Sequence, residues 1–221
     1  MKKYLGFTLA EVLIALVITG VVAAITLPVL WANYTEQERI SKVKKNYSML
    51  ANAMTKVKAA GGDLEFEFID NNTENMEEWF NKYLKNNLVV TKVCYNTSGC
   101  WNSGDTRYIN GSLADQNRTG ICVGDNCVTA VLNDGTFISI NTWNNAYYNF
   151  GINAGSSEIV MGLLFDINGE KEPNTFGKDV FVTVYTEDGF VPAFQDRTKA
   201  DKETDCSSGT GKACIHKYLN K

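Results

Sequence analysis

The sequence has a single histidine, His216, which lies in the polar tail near its end. A Ser–His–Asp or Cys–His catalytic site would have to use this residue, and no neighbouring pattern places it in a pocket. Acidic residues are frequent, but no two of them have a spacing that marks an acid–base site. We therefore expect His216 to lie at the surface and the protein not to be an enzyme.

Cysteine is absent ahead of Cys94, and the six cysteines form local pairs with the spacings C-x5-C, C-x4-C and C-x7-C. None has the C-x2-C spacing of a zinc knuckle, so a zinc site is disfavoured. An even count on one side of an apolar segment instead predicts disulfides in an oxidising compartment. Six cysteines allow fifteen pairings, and we expect neighbours to pair: Cys94 with Cys100, Cys122 with Cys127, and Cys206 with Cys214.

Charge is almost absent between Phe7 and Trp31, where Glu11 is the only charged residue. The run is long enough to span a bilayer, and it lacks a small-residue signal peptidase site near its end. We therefore expect a retained transmembrane helix. A carboxylate within hydrocarbon is costly and suggests a function, although an acid close to the membrane surface could also be tolerated there.

The charges that flank this run do not settle its orientation. Two lysines precede it, whereas Arg39 and three nearby lysines follow it, so the positive-inside rule weakly favours a cytoplasmic C-terminal part. The cysteines favour the opposite orientation, with the C-terminal part outside the cytoplasm. We give the cysteines more weight.

The leader KKYLG followed by FTLAEVLIALVI resembles the class III signal of type IV pilins and type II secretion pseudopilins. The resemblance covers about the first thirty residues. It implies cleavage between Gly6 and Phe7 by a membrane-embedded prepilin peptidase and N-methylation of the new terminus at Phe7. It also implies that Glu11 acts in assembly, and that Gly20 and Pro28 are the helix-weakening positions of the family.

The chemistry of these residues agrees with that resemblance. Gly6 has no side chain and allows an extended backbone ahead of the helix. Cleavage creates a cationic α-amine on Phe7, which could pair with Glu11 of a neighbouring subunit and set the register between them. Pro28 removes a backbone hydrogen bond, and Gly20 is a second weak point. We expect the helix to melt or extend from Gly20 to Pro28 in an assembled filament.

A basic amphipathic stem follows, and an acidic head follows the stem. Residues 33–60 contain six Lys/Arg and two Asp/Glu, and residues 61–221 contain 13 and 22. The acidic head disfavours non-specific nucleic-acid binding. The predicted organisation is a leader at 1–6, a transmembrane and assembly helix at 7–32, a continuing amphipathic helix at 33–60 and a globular head at 61–221. The apolar stripe of the stem comprises Ile40, Val43, Tyr47, Leu50, Met54 and Val57.

The head reads as a short helix followed by a meander of strands. Asn75 and Glu78 have capping-box spacing, which predicts a helix over 75–85, and Gly61 stops the stem. A hairpin turn at Asn133-Asp134-Gly135 joins two strands. Residues 96–127 form a loop-rich insert, and 141–158 a surface loop with the aromatics Trp143, Tyr147, Tyr148 and Phe150. Strands are predicted at 88–94, 128–132, 136–140, 159–165, 180–185 and 190–192. The fold class is therefore α+β and pilin-like: a long N-terminal helix packed on an antiparallel sheet with disulfide-closed loops.

The loop after the strand at 159–165 carries oxygen-bearing side chains at Asp166, Asn168, Asn174 and Asp179. Such a loop could hold calcium, which prefers several oxygen ligands, and the resemblance adds that some pseudopilins bind calcium near the end of their sheet. The spacing is not that of an EF-hand, because the glycine comes one position early. Asn168-Gly169 also makes a sufficient hairpin turn without any metal. No other cofactor is expected.

The favoured function is a structural subunit that is processed, held in the inner membrane and polymerised into a type IV pilus or a type II secretion pseudopilus. Its expected partners are other pilin-like subunits, a prepilin peptidase, an assembly-platform membrane protein and inner-membrane lipid, with no nucleic acid. The head would lie outside the cytoplasm, in the periplasm or on an extracellular filament. The alternative is a membrane-anchored extracytoplasmic module that binds a ligand or substrate without polymerising. A competence-type pilin that contacts DNA is less attractive because of the acidic head.

Overall fold

The computed structural model of the chain describes residues 6–62, 73–114, 127–143, 149–153, 160–186 and 189–221. The chain divides into two compact units, Met1–Arg39 and Ile40–Lys221. Helix α1 spans Leu9–Ala59, so the division falls within this helix. The other helices are α2 (Thr73–Trp79), α3 (Lys199–Ser208) and α4 (Ile215–Leu219). The strands are β1 (Val90–Tyr95), β2 (Cys127–Leu132), β3 (Phe137–Trp143), β4 (Val160–Asp166), β5 (Val180–Thr186) and β6 (Gly189–Pro192).

The first unit is an apolar helical segment whose large side chains are exposed. Leu16, Ile25 and Leu30 each expose more than half of their surface, and no residue from Phe7 to Trp31 is buried. Among the described residues, α1 is the one helix that is long and apolar enough to cross a membrane. An apolar surface of this length that the described residues leave uncovered suits lipid or other helices.

The second unit begins with the amphipathic half of α1. Its buried residues recur every three or four positions, which places them on one face of the helix. Tyr47, predicted on the same stripe, is only partly buried. Gly61 ends the helical run with φ +79, a conformation that glycine adopts without strain. The buried residues of this half are Ile40, Val43, Asn46, Leu50, Ala53, Met54 and Val57.

The six strands form one antiparallel sheet in the order β1 to β6, each strand paired with the next in the chain. Strands β4 and β5 are buried on both faces. Leu163 and Phe165 pack in the cluster that contains α1, whereas Leu164 and Val182 pack in a second cluster under the loops. The sheet is therefore covered by α1 on one face and by a layer of loops on the other.

Side-chain contacts fix the amphipathic half of α1 to the hairpin between β2 and β3. The Nζ atom of Lys45 lies 2.6 Å from Asp134 Oδ2 in the turn. Asn46 Nδ2 donates to Lys42 O at 3.0 Å and to Thr136 Oγ1 at 3.3 Å. Local turn chemistry thus also supplies the groups that hold the helix in place.

The predicted α+β fold with disulfide-closed loops is confirmed. The structure joins Cys94 to Cys100 and Cys206 to Cys214. Cys127 is also disulfide-bonded, while Cys122 lies outside the described residues. The loops closed by Cys94–Cys100 and Cys206–Cys214 are short, so each of these two bonds restrains local structure.

Several local predictions were wrong in detail. The helix predicted at 75–85 begins at Thr73, so Asn75 is not its cap, and it continues beyond Trp79 as a π turn and a 3-10 turn. Strand β3 extends three residues beyond its predicted end, to Trp143. Phe150 is buried in the second core cluster and is not a surface aromatic, because the loop layer needs apolar side chains of its own. Tyr147 and Tyr148 lie outside the described residues.

Candidate functional sites

The start of α1 is organised by Thr8 and Glu11. The Thr8 backbone N–H and hydroxyl both donate to Glu11 Oε2 at 2.8 Å, and the Glu11 backbone N–H donates to Thr8 Oγ1 at 3.3 Å. This is a reciprocal capping box, which satisfies donors that a helix start leaves unpaired. Glu11 therefore has a local role within one subunit, besides any role between subunits.

The predicted cleavage site lies immediately ahead of this cap. Gly6 and Phe7 are non-helical, and both are exposed. No atom lies within 4 Å of the position that a Cβ on Gly6 would occupy. Leader residues 1–5 lie outside the described residues. The peptide bond between Gly6 and Phe7 is thus presented on accessible backbone, as a protease requires.

The predicted weak points Gly20 and Pro28 both lie within the helical span of α1. The Thr19 hydroxyl donates to Ala15 O at 2.8 Å, and the Thr26 hydroxyl donates to Val22 O at 2.9 Å. Such back-bonding gives additional partners to carbonyls near the places where helical bonding is weakest. Melting of this stretch in a filament stays a prediction about the assembled state.

The loop after β4 brings two buried carboxylates to one place. Asp166 Oδ1 accepts from the backbone N–H groups of Asn168 and Gly169 at 3.0 and 3.1 Å. Asp179 accepts from the backbone N–H groups of Asn174 and Thr175 at 2.8 and 2.6 Å. Neither carboxylate has a cationic partner among the described residues. Each is held instead by backbone donors of the same loop.

Three amide side chains complete this cluster. Asn102 Nδ2 donates to Asp166 Oδ2 at 3.2 Å, and Asn168 Nδ2 donates to Asp179 Oδ2 at 3.1 Å. The buried Oδ1 atoms of Asn102, Asn168 and Asn174 have no hydrogen-bond partner among the described residues. Asn102 and Asn174 are more than nine-tenths buried. Buried acceptors without donors are rare and call for an explanation.

Burial of the cluster makes it unfavourable for Asp166 and Asp179 to be ionised at the same time. Burial raises the pKa of Asp166 from 3.8 to about 7, and the neighbouring Asp179 charge adds to this effect against the hydrogen bonds that lower it. Burial also raises the pKa of Asp179. A cation would remove both penalties. Among the described residues, no three His, Cys, Asp or Glu residues are grouped for a metal, so amide oxygens would have to supply the other ligands.

A second polar cluster lies in the C-terminal loop closed by Cys206–Cys214. Asp205 accepts from the backbone N–H groups of Thr210 and Ala213 at 2.7 and 2.8 Å. Lys212 is buried and donates to the Asn149 carbonyl oxygen at 3.0 Å. Burial lowers the pKa of Lys212 to about 8, although the Asp205 charge opposes this shift. These contacts organise the loop from within.

His216 was predicted at the surface, and the structure shows it partly buried. Its Nε2 atom lies 2.8 Å from the Ala193 carbonyl oxygen, and burial lowers its pKa. Side chains of α3 and α4 surround a cavity of about 660 Å³ beside it. The residues around this cavity are Lys199, Lys202, Glu203, Cys206, Ser207, Ala213, His216, Lys217 and Asn220.

Sequence reasoning missed two residues of these sites. Thr8 could have been found, because Thr-x-x-Glu ahead of an apolar run is the capping-box signature. Asn102 could not, because it lies 64 residues before Asp166 within the loop-rich insert, and only the fold brings the two together.

Residues 1–27 match the family described as a prokaryotic N-terminal methylation motif. This motif is the hallmark of type IV pilin and pseudopilin precursors, and proteins that carry it are structural rather than catalytic. It implies processing by a prepilin peptidase and assembly with pilin-like subunits in general. No curated protein and no solved structure matches the chain. The match thus covers the leader and most of the apolar run from Phe7 to Trp31.

Proposed function

We propose that the chain is a prepilin-like structural subunit that polymerises through its N-terminal helix into a type IV pilus or a type II secretion pseudopilus. The observation that carries this proposal is the methylation motif at residues 1–27, which continues into an apolar helix whose side chains are exposed. The disulfides support a head outside the cytoplasm, anchored in the inner membrane before assembly. An assembly-platform protein and membrane lipid are then its further partners.

Glu11 is the proposed register residue. In the single subunit, only its Oε2 atom takes part in the capping box with Thr8. The other carboxylate oxygen could accept from the methylated amine of Phe7 on a neighbouring subunit. An ion pair within a helix bundle is costly to break, by about 3–5 kcal/mol, because a buried charge is left without its partner. Such a pair would specify one axial offset between neighbours.

Two substitutions separate capping from charge pairing. Glu11→Gln keeps an oxygen for the Thr8 N–H group but removes the charge, whereas Glu11→Ala removes both. We expect both variants to be processed and membrane-bound but lost from the sheared filament fraction of cells with the cognate assembly machinery. Glu36→Ala, which removes an acid that pairs with Arg39 one turn along, is the matched control and should assemble. Normal incorporation of both Glu11 variants would refute the proposal and favour a membrane-anchored module that does not polymerise.

We also propose that the head binds calcium at the loop after β4. The residues fit a hard cation, because Asp166 and Asp179 supply carboxylates and Asn102, Asn168 and Asn174 have buried amide oxygens without partners. When bound, calcium would supply positive charge that favours ionised carboxylates. The ion would thereby link the loop-rich insert that contains Asn102 to the end of the sheet.

Titration of the detergent-solubilised full chain tests this proposal. After treatment with a chelator, millimolar calcium should raise the melting temperature, because a ligand that binds only the folded state stabilises it. Magnesium should act less, since it prefers a smaller octahedral site. Asp179→Asn should abolish the response, whereas Asp105→Asn, at an exposed carboxylate, should retain it. The absence of any shift in the unsubstituted protein at millimolar calcium would refute the calcium site.

A further inference from the structure

Trp31 and Tyr34 form an exposed aromatic pair where the apolar run of α1 ends. They lie three positions apart, which places both rings on the same side of the helix, and their ring centroids are 6.4 Å apart. Trp31 exposes 70% of its surface and Tyr34 exposes 65%. Leu27, Pro28 and Leu30 border the same open groove, of about 640 Å³. The pair therefore continues the apolar surface of the helix and adds two polar groups to it, an indole N–H and a phenol hydroxyl.

The sequence changes from apolar to polar at this pair. From Val12 to Thr35 there is no charged residue, and Glu36 is the first charged residue after the run. Every residue from Thr35 to Arg39 is polar or charged. In membrane proteins, tryptophan and tyrosine collect where the hydrocarbon core meets the lipid headgroups, because one end of each ring is apolar and the other is polar. The pair thus lies where a helix would leave the hydrocarbon.

The distance from this pair to Glu11 matches the thickness of a bilayer. Glu11 and Trp31 are twenty residues apart on one helix, and that separation corresponds to about 30 Å at the rise of an α-helix. The hydrocarbon core of a bilayer is also about 30 Å thick. With Trp31 at one boundary of the core, Glu11 therefore lies at the other boundary, where its carboxylate can reach headgroups and water.

A depth that puts Glu11 at the centre of the bilayer is worse in two respects. It would move about 15 Å of helix, or roughly residues 22–31, out of the hydrocarbon and into water. Leu27 and Leu30, which are exposed on α1, would then lose their contact with lipid. The same shift would place a carboxylate in the hydrocarbon, which is costly. Both effects favour the depth at which the aromatic pair lies at the boundary.

We infer that Trp31 and Tyr34 anchor the chain in the headgroup and ester region of a glycerophospholipid bilayer and hold Glu11 at the opposite boundary. The rings would pack beside acyl chains, while ester and phosphate oxygens accept hydrogen bonds from the indole and the hydroxyl. The inference rests on the membrane anchoring in the proposed function, and the anchoring surface is continuous with the apolar run. It adds that Glu11 stays near the membrane surface until assembly moves it into a bundle of helices.

Fluorescence quenching by brominated lipids measures the depth of Trp31. The detergent-solubilised full chain is reconstituted into vesicles of phosphatidylcholine and phosphatidylglycerol, with bromine placed on the acyl chain either near the ester (shallow) or near the methyl end (deep). Because the other tryptophans are common to both proteins, the difference between the unsubstituted chain and Trp31→Phe isolates the signal of Trp31. We expect shallow bromine to quench this signal more strongly than deep bromine.

Two reporters measure the rest of the span, each in the Trp31→Phe background. Val12→Trp, next to Glu11, should also be quenched more by shallow bromine. Val21→Trp is the matched control, because it is the same substitution at another exposed position of the same helix, and it should be quenched more by deep bromine. Quenching that changes steadily from position 12 to position 31 would place Glu11 within the hydrocarbon and overturn the inference.

Removal of the rings tests whether the pair sets this depth. Trp31→Ser with Tyr34→Ser should increase quenching of the Val12→Trp reporter by deep bromine, because the new polar end draws the helix toward the stem-side water. Asn33→Ser, at the exposed polar residue between the two rings, is the matched control and should leave the quenching unchanged. An unchanged depth in the double serine variant would overturn the anchoring role of the pair.

Vesicle flotation separates this inference from the proposed function. Protein that floats with the vesicles while neither bromine quenches Trp31 would overturn the inference, since a second copy or water would then cover the rings, and would leave membrane anchoring intact. If the unsubstituted chain does not float with the vesicles, both fail. Flotation together with shallow, deep and shallow quenching at positions 12, 21 and 31 supports both.

Discussion

Asp166 makes the stability of the head depend on pH in a direction opposite to that of most carboxylates. Its side chain is fully buried at the end of β4, and burial raises its pKa to about 7. In the unfolded chain the same group titrates near its ordinary value of 3.8. Between these two values the folded protein holds a proton that the unfolded chain has released. Without calcium, the free energy of unfolding therefore falls as the pH rises through this window.

The size of the effect follows from the two pKa values. Integrating proton uptake for one group from about pH 5 to about pH 8 gives a loss of about 3 kcal/mol. The stability that protonated Asp166 contributes is fully present below about pH 4 and is mostly lost once the pH exceeds about 7. Asp179, whose pKa is also raised, acts in the same direction. A loss of this size is a large share of the stability of an ordinary domain.

Chemical denaturation of the detergent-solubilised chain in a calcium chelator measures this quantity at a series of pH values. Asp166→Asn should remove most of the decline, because the amide has no charge to bury. Its oxygen can still accept from the Asn168 N–H group, and rotation of the Asn102 amide would offer its unpaired oxygen to the new NH₂ group. The variant should therefore be more stable than the unsubstituted protein at pH 8, and Asp105→Asn should not.

The reasoning is refuted if stability in chelator is flat or rises from pH 5 to pH 8, or if Asp166→Asn declines as steeply as the unsubstituted chain. Saturating calcium should raise stability more at pH 8 than at pH 5, because the ion competes with the proton for the same carboxylate. An equal calcium effect at both pH values would show that Asp166 does not bind the ion.

Two further predictions concern packing and are measured by the same denaturation assay. Gly177→Ala should destabilise the head more than Gly111→Ala, although both residues have positive φ. A Cβ on Gly177 would lie 2.5 Å from Cys214 Sγ, whereas a Cβ on Gly111 would face open space. We expect Gly177→Ala to lower the free energy of unfolding by about 1–3 kcal/mol more than Gly111→Ala, and equal losses would contradict the clash. Leu50→Ala, at a fully buried position of α1, should cost about 2–5 kcal/mol, whereas Leu113→Ala at an exposed position should cost under about 0.5 kcal/mol.

The features that could be predicted from sequence depend on local chemistry. The helix predicted over residues 7–60 is observed at Leu9–Ala59, because apolar periodicity and the stop at Gly61 lie within the segment itself. The hairpin between β2 and β3 follows from Asn133-Asp134-Gly135, whose glycine has φ +84. Strands β4 and β5 read as continuous apolar runs because both of their faces are covered.

The features that could not be predicted depend on which distant segments meet. Phe150 follows polar and aromatic residues that resemble a surface loop, and it is buried only because the loop layer covers the second face of the sheet. Lys212 belongs to a Gly-Thr-Gly-Lys tail that reads as solvated, yet its ammonium group reaches Asn149. Asn102 joins Asp166 by the same kind of long-range encounter. Sequence periodicity and turn signals do not predict these long-range contacts.

The capping box at the start of α1 gives the acid in the apolar run a role within its own subunit. A helix start presents unpaired N–H groups, which are costly in hydrocarbon, and Thr8 with Glu11 satisfies part of this demand within one subunit. Cleavage after Gly6 would add a cationic amine at Phe7, one residue ahead of the cap, so the helix start would need more negative charge and not less. A single carboxylate with two oxygens can serve the cap with one and a neighbouring amine with the other. In the proposed assembly, the acid would be held by its own helix in the membrane and would become fully paired only when a second subunit arrives.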